Sequence, residues 1–268
     1  MFQIIFLSNY LFAFIIICFG VFFMKVGSLV TRYKYNHDVV FKIIEINSDY
    51  AILKGECVRL RADAPLFDLK IYEKKQVEEE MLELEFNRNS KLINGCVLHL
   101  DGDEIYLKKC LDVYKKYNIP AQGYHMDEKE MPNQITNLLV KHKPDILIVT
   151  GHDNYKVDIN NKEHFENSKY FIQTVKKARV YQADKDALVI FAGACQSYYE
   201  ALIESGANFA SSPTRKNINV LDPVYIAITV AKSHVGSYID VEDTLKKTIS
   251  KGVGLGGIDT RGVARRLY

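Results

Sequence analysis

A surplus of charge of either sign is the first thing that this sequence lacks. Its 268 residues carry 35 lysines and arginines against 33 aspartates and glutamates, a formal net charge of +2 at pH 7. A nucleic-acid-binding surface usually brings a marked basic excess, so the balance argues against nucleic acid as a partner. With 48% hydrophobic and 25% charged residues, the chain is neither disordered nor fibrous. Its length suits one compact domain, or a main domain with a smaller one.

Paired cysteines and nucleotide-binding glycine motifs are also missing. The five cysteines are an odd number and form no C-x-x-C pair, so neither a zinc ribbon nor a disulfide framework is indicated, and a reducing compartment fits. No G-x-G-x-x-G or Walker pattern follows a strand-like run. The only glycine-rich stretch, residues 252–257, follows a helical pattern and predicts a helix stop and a loop. We therefore expect no metal and no organic cofactor.

Residues 1–23 lack charge altogether. Nineteen of these 23 residues are apolar, and they include seven of the chain's 14 phenylalanines. About 20 apolar residues can span a bilayer, whereas a secretory signal needs a positive first region and a small-residue cleavage site, which this segment does not have. We expect that translation begins at Met24 and that the segment is spurious. The alternative is a membrane anchor, with Lys25 and Arg32 holding the next domain on the cytoplasmic side.

Two further regions precede the largest part of the chain. Residues 24–72 contain short runs of apolar alternation separated by turn signals, which predict a small SH3-like β-barrel. The runs are residues 26–32, 39–46, 50–55 and 57–62. Residues 73–94 are dense in charge and contain neither glycine nor proline, so we expect a charged helical linker there.

An α/β domain is predicted over residues 95–268. Five apolar runs of strand length alternate with helical patterns; the runs are CVLHL, IPAQGY, DILIVT, ALVIFAG and ANFASS. This alternation predicts a parallel sheet with helices on both faces, in a flavodoxin-like strand order. Helices are expected at about residues 132–141 and 164–179. In such sheets the functional residues follow the carboxyl ends of the strands.

A histidine and a cysteine follow two of these runs. His152 comes after the third run and Cys195 after the fourth. If these strands are neighbours, as in a 2-1-3-4-5 order, the two side chains emerge at one edge of the sheet. An imidazole can activate a thiol and later protonate a leaving amine, so we predict a catalytic dyad. The backbone N–H groups of Asp153 and Cys195 are candidates for an oxyanion hole, and a helix starting near Ser197 adds a positive dipole end.

Other interpretations of this pair stay open. A histidine and a cysteine at strand ends can be incidental, and either one alone would be unremarkable. A cysteine turn of the glutamine-amidotransferase type wants a glycine two residues after the cysteine, where this chain has Ser197. The other histidines are expected to be surface residues or residues whose hydrogen bonds are satisfied.

Several longer segments resemble the YabG family of sporulation-specific cysteine proteases. The segments, in the same order as in the family, are VGSLVTRYKYNHDVVFKI, VLHLDGDEIYLKKCLDVYKK, KPDILIVTGHDNY, LVIFAGACQSYYEALIESGANFASSPTR, LDPVYI and GLGGIDTRGV. The resemblance implies a fold similar to the caspase, gingipain and clostripain group, in which His152 and Cys195 match the catalytic pair. Asp153 stands where that wider group usually has glycine, which puts its oxyanion role in doubt. The family's chain begins just ahead of the first segment, which supports a start at Met24.

The resemblance also implies a substrate and a place. The family cleaves after arginine in spore coat and related proteins, and cleaves itself, so we expect protein substrates, and a location in the mother-cell cytoplasm and the developing spore coat. Arginine preference implies a carboxylate in the pocket, because a guanidinium pairs with it through two hydrogen bonds. Asp101 and Asp103 are the candidates and Asp222 is an alternative. Each could instead be a helix N-cap, as Asp103 directly precedes a helical pattern.

Two further expectations concern the site of self-cleavage and the alternative to an enzyme. Self-cleavage near Arg88 or Lys91 would fit an exposed, basic linker. The alternative to an enzyme is a non-catalytic scaffold, in which the barrel docks a spore-layer partner and the α/β domain is a receiver-like interaction module.

Overall fold

The computed structural model describes residues 24–73, 83–84, 92–160 and 162–267. The chain divides near residue 80 into two compact units. The apolar leader, most of the expected linker and the expected self-cleavage region near Arg88 and Lys91 lie outside the described residues. Within the part of the chain that is described, no helix is long and apolar enough to cross a membrane.

The first unit is a five-stranded antiparallel sheet in the order β4-β3-β2-β1-β5. Its strands are β1 (Leu29–Arg32), β2 (Phe41–Asn47), β3 (Tyr50–Gly55), β4 (Arg61–Pro65) and β5 (Leu69–Ile71). Alternate residues of β2 face the core, so that Phe41 and Ile43 are buried while Lys42 is exposed. An antiparallel β unit is therefore confirmed, and its SH3-like closure stays a prediction.

The fourth strand of this unit differs from the expected one. The run over residues 57–62 was expected to be a strand, but most of it forms the turn between β3 and β4. The Gly55 N–H donates to the Leu60 carbonyl at 2.8 Å, and the Val58 carbonyl lies where a Cβ of residue 55 would be. Glycine at this position allows the tight turn that delays β4.

The second unit is built around a mixed six-stranded sheet. Its strands are β7 (Val97–Asp101), β8 (Ala121–His125), β9 (Ile146–Thr150), β12 (Val189–Ala192), β13 (Phe209–Ser211) and β15 (Leu255–Gly257). Its helices are α1 (Glu104–Lys116), α2 (Met131–His142), α3 (Ser168–Tyr181), α4 (Tyr199–Glu204), α5 (Asp222–Lys232) and α6 (Val241–Lys246). Short two-stranded pairs complete it: β6 (Leu92–Ile93) with β17 (Arg265–Arg266), β10 (Tyr155–Val157) with β11 (Glu163–Phe165), and β14 (Tyr238–Ile239) with β16 (Thr260–Arg261).

The sheet order is β15-β13-β12-β9-β7-β8. Neighbouring strands from β8 to β13 pair in parallel, which confirms the expected 2-1-3-4-5 order and an α/β fold. Strand β15 pairs antiparallel with β13, where a loop was expected, because Gly257 lets the Phe209 ring approach where a Cβ would be. A caspase-like identity of this domain stays a prediction.

The helix expected from residue 164 begins later. His164 lies in β11, and α3 starts at Ser168. Strands β10 and β11 instead pair antiparallel, with Tyr155 opposite Phe165. The start of α3 is held from a distant loop, because the Asp153 carboxylate accepts the N–H of Asn167 at 2.8 Å. This long-range contact cannot be inferred from the local helical pattern, so the helix start was predicted too early in the chain.

Candidate active site

His152 and Cys195 leave the same edge of the parallel sheet. Strands β9 and β12 are neighbours, with Val149 opposite Ala192, and the Gly193 N–H donates to the Val149 carbonyl at 3.0 Å. His152 lies two residues beyond the end of β9, and Cys195 lies three residues beyond β12. The carboxyl ends of parallel strands meet at one edge, so the two loops emerge side by side.

The turn that carries Cys195 is tightly held. Gly193 adopts φ +110°, a left-handed conformation that favours glycine, and a Cβ there would lie 2.8 Å from the Ser211 hydroxyl. The Ala194 carbonyl accepts that hydroxyl at 2.8 Å. Cys195 itself is fully buried, and its thiol donates to the Ile218 carbonyl with an S···O distance of 3.7 Å. The loop containing Ile218 thus covers the sulfur in this structure.

The His152 ring lies between two carboxylates. Its Nε2 is 3.5 Å from Asp103 Oδ2, and its Nδ1 is 3.8 Å from Glu128 Oε1. The His152 main-chain N–H also donates to Glu128 Oε1 at 2.7 Å, and the His152 carbonyl accepts Asn167 Nδ2 at 2.9 Å. Negative charge on both sides stabilises an imidazolium, the form that would pair with a thiolate.

Asp103 is the N-cap of α1, which confirms the structural alternative considered for it. Its Oδ1 accepts the N–H groups of Ile105 at 3.1 Å and Tyr106 at 3.2 Å, which satisfies two donors at the start of the helix. Its other oxygen is the one that faces His152. One aspartate therefore joins a helix start to the imidazole, and whether it also meets substrate stays a prediction.

Asp101 and Asp222 are both fully buried. Asp101 accepts the Thr150 hydroxyl at 3.0 Å and the Asp103 N–H at 2.9 Å. Asp222 opens α5 and accepts the N–H groups of Asn219 at 2.8 Å and Ser250 at 3.1 Å. Burial raises the pKa of Asp222 above its ordinary value. Both carboxylates are bonded within the protein, and an arginine-binding role for either stays a prediction.

Glu128 is a site residue that the sequence analysis missed. It follows β8 in a short 3₁₀ turn (Glu128–Glu130), and its carboxylate lies against Gly102 and Gly151, where a Cβ on either glycine would overlap Oε1. Burial raises its pKa above the ordinary value, opposed by the hydrogen bond from the His152 N–H. The rule that strand carboxyl ends carry function applies to β8 as well, and it would have pointed here.

Asp153 also has a side-chain role that the sequence analysis did not predict. Its N–H was the expected oxyanion donor, and that assignment stays a prediction. The residue is 5% exposed, and its carboxylate bonds to residues of three separate segments, among them the hydroxyls of Ser168 and Ser197. Burial raises its pKa above the ordinary value despite these hydrogen bonds, each of which acts to lower it.

One buried group of side chains has ligand types that suit a metal ion. Among the described residues, the ligand atoms of His99, Asp101 and Cys110 lie within 4.8 Å of one another. The His99 ring is hydrogen-bonded on both sides, to the Thr150 hydroxyl at 2.9 Å and to the Tyr114 hydroxyl at 3.3 Å. These bonds account for the buried imidazole as a satisfied histidine, so we assign no metal to this group.

Comparison with known proteins identifies the family. The family model described as YabG peptidase U57 matches residues 25–94 and 83–268. The chain belongs to this family. It is 44% identical over 282 residues to the sporulation-specific protease YabG of Bacillus subtilis (strain 168), a match that covers 90% of this chain and 96% of that protein. No solved structure matches the chain.

Membership of the YabG family makes this chain a relative of a sporulation protease. A peptidase hydrolyses peptide bonds, so its substrates are proteins. The matched ranges include the segments that carry His152 and Cys195.

Proposed function

We propose that this YabG-family protein is a cysteine endopeptidase that cleaves after arginine, with Cys195 as nucleophile and His152 as general acid and base. The observation that carries the proposal is the parallel pairing of β9 with β12, which brings the loops of both residues to one edge. The two carboxylates around His152 support it, since they favour the charged imidazole. We further propose that the α/β domain is caspase-like and that the first, antiparallel unit is an SH3-like barrel.

The reaction follows from the residue types. Cys195 Sγ attacks the carbonyl carbon of the substrate arginine as its proton passes to His152, and the carbonyl oxygen becomes an oxyanion held by the N–H groups of Asp153 and Cys195. His152 then protonates the leaving amine, the C–N bond breaks and an acyl-enzyme remains. A water molecule gives a proton to His152 and its hydroxide to the acyl carbon. The C–S bond then breaks, which releases the acid, and His152 returns the proton to the sulfur, which restores the thiol.

The substrate assignment comes from the family resemblance. We propose spore coat and related proteins as substrates, together with self-cleavage, in the mother cell and the developing coat. Asp101 and Asp103 are the proposed partners of the substrate arginine. Glu128 adds a third carboxylate at the same edge of the sheet, between the ends of β7 and β9.

The decisive test uses Cys195→Ala and His152→Ala. Each should abolish cleavage of an arginine peptide and of the protein itself, because each removes one partner of the proton transfer. Cys96→Ala is the matched control: this cysteine precedes β7 at the opposite edge of the sheet, and its loss should leave the rate unchanged. Activity surviving in Cys195→Ala would refute the mechanism.

The complete burial of Cys195 favours a second candidate, a non-catalytic scaffold. A thiol bonded to the Ile218 carbonyl can be a structural cysteine, which is inert. Alkylation by iodoacetamide, mapped to each cysteine by mass spectrometry, separates the two functions. An activated Cys195 reacts below neutral pH and loses that reactivity in His152→Ala, whereas a structural Cys195 is unreactive in both proteins.

A further inference from the structure

We propose that Asp153 is a positioning residue whose buried carboxylate holds the Cys195 loop in register with His152. The importance of Asp153 for catalysis rests on the proposed function above, whereas the hydrogen bonds of its carboxylate are independent of that function. Asp153 directly follows His152, so a side chain that ties this residue to the Cys195 loop couples the two halves of the site.

Each oxygen of this carboxylate accepts from two donors among the described residues. Oδ1 accepts the N–H groups of Asn154 at 2.9 Å and Asn167 at 2.8 Å. Oδ2 accepts the hydroxyl of Ser197 at 2.9 Å and the hydroxyl of Ser168. The donors come from the His152 loop, the start of α3 and the Cys195 loop, and the carboxylate is the atom group that all three share.

The two hydroxyls extend this contact to both sides of Cys195. Ser197 Oγ accepts the Ala194 N–H at 2.9 Å, and Ser168 Oγ accepts the Tyr198 N–H at 2.8 Å. Ala194, before Cys195, and Tyr198, after it, are therefore each held by a serine hydroxyl that is bonded to Asp153 Oδ2. A separate bond between the loops, from the Tyr155 N–H to Gln196 Oε1, is longer at 3.4 Å.

Only an ionised carboxylate satisfies this set of donors. A carboxylate is an acceptor at both oxygens, so both serines donate to it and keep their own oxygens for the Ala194 and Tyr198 N–H groups. An asparagine amide would replace one oxygen by a donor. Whichever way that amide turned, its N–H₂ group would face two donors: either the serine hydroxyls that hold the Cys195 loop, or the N–H groups of Asn154 and Asn167 that hold the His152 loop to α3. The hydrogen bonds therefore require aspartate, whereas a residue that only filled the space could equally be asparagine.

The cost of keeping this charge buried helps to separate a positioning role from a stabilising one. Burial raises the pKa of Asp153 more than its four hydrogen bonds lower it. Replacement by the neutral isostere therefore removes an unfavourable charge at the same time as it weakens hydrogen bonds. The folded protein should tolerate Asp153→Asn, while the placement of Cys195 should not.

The test measures Asp153→Asn with an arginine peptide and with iodoacetamide. We expect kcat to fall by about 100-fold while KM changes less than about twofold, since small displacements of reacting groups have effects of this size. The pH profile of Cys195 alkylation should shift toward that of His152→Ala, a change that lost stability alone would not produce. Asparagine keeps the backbone N–H, so the proposed oxyanion donor is undisturbed.

Asp145→Asn is the matched control. This carboxylate accepts the Cys96 N–H at 2.9 Å at the amino end of β9, so the same isosteric change is made at the other edge of the sheet. Its kcat and its Cys195 alkylation profile should match the wild type. Ser168→Ala and Ser197→Ala each remove one hydroxyl and should lower kcat by about tenfold, less than Asp153→Asn.

The outcomes distinguish this proposal from the function on which it rests. Wild-type kcat and a wild-type alkylation profile in Asp153→Asn would overturn the positioning role. If that variant fails to fold, the same two measurements on Ser168→Ala decide instead. Activity in Cys195→Ala would refute the peptidase mechanism, yet the alkylation profile of Asp153→Asn would still report whether the carboxylate positions the cysteine loop.

Discussion

The two edges of the parallel sheet differ in the charged groups that hold them. At the carboxyl edge, the carboxylates of Asp103, Glu128 and Asp153 accept backbone N–H groups around His152 and Cys195. At the amino edge, the Arg179 guanidinium donates to the carbonyls of residues 188 and 206, which precede β12 and β13, at 2.8 Å each. Three carboxylates gather at the carboxyl edge, whereas the amino edge combines this guanidinium with one carboxylate, Asp145, which accepts the Cys96 N–H.

Helix direction explains the difference. Each helix that follows a parallel strand begins at the carboxyl edge and ends at the amino edge. Helix starts expose N–H groups and attract negative charge, whereas helix ends expose carbonyls and attract positive charge. Asp103 caps the start of α1, and Arg179 lies in the last turn of α3. The topology alone thus favours carboxylates at the edge where His152 and Cys195 emerge.

The amino edge should show the largest effect on stability. Arg179→Ala removes hydrogen bonds to the Gly206 and Leu188 carbonyls and to Asn208 Oδ1 at 2.7 Å. These bonds offset the burial that lowers the pKa of Arg179 to about 10. We expect the free energy of unfolding to fall by about 3 kcal/mol, measured by urea denaturation.

Arg265→Ala is the control for this comparison. Its guanidinium is exposed and pairs with Asp145 at 3.1 Å, so the loss should be below about 0.5 kcal/mol. A loss below about 1 kcal/mol in Arg179→Ala would show that the amino edge does not depend on its arginine.

The carboxyl edge should instead show its largest effect on specificity. In the double variant Asp101→Asn, Asp103→Asn, the asparagine at 103 keeps an oxygen for the α1 cap but removes the charge. If these carboxylates bind the substrate guanidinium, the preference for an arginine peptide over its uncharged citrulline analogue should fall about tenfold to 100-fold. Wild-type cleavage of both peptides would exclude these carboxylates from the pocket. An equal fall in the rate with both peptides, which leaves the preference unchanged, would also exclude them and would indicate that Asp103 acts through His152.

A smaller effect should appear in the pH dependence of stability. Because burial raises the folded-state pKa of Glu128, its ionisation costs stability, and that cost appears as pH rises from about 4.5 through the raised value. Glu128→Gln removes it. The stability of the wild type relative to this variant should therefore fall with rising pH in that window, by at most about 1.4 kcal/mol per pH unit. A stability difference between the two proteins that stays constant across this window would exclude burial of Glu128 as a cause of pH dependence.

Much of the second unit could be predicted because its signals are local. Strands buried on both faces are continuous apolar runs, and the five runs became β7, β8, β9, β12 and β13 in the expected order. The positions of His152 and Cys195 just beyond two of these strands followed from the same runs. The pairing of β10 with β11 was missed because their residues are partly polar. The start of α3 was missed because it is held by the Asp153 carboxylate, 14 residues before Asn167.

The amino-acid sequence by itself determined that a histidine and a cysteine would each follow a buried strand, since hydrophobic periodicity decides which segments are buried. The structure then showed that these two strands are neighbours. Only the tertiary structure decided which carboxylates surround them. Asp103 caps a helix with one oxygen and faces His152 with the other, and Asp153 joins two loops that lie 44 residues apart in the sequence. Such roles depend on where a side chain points after distant segments have packed, and no local pattern carries that information.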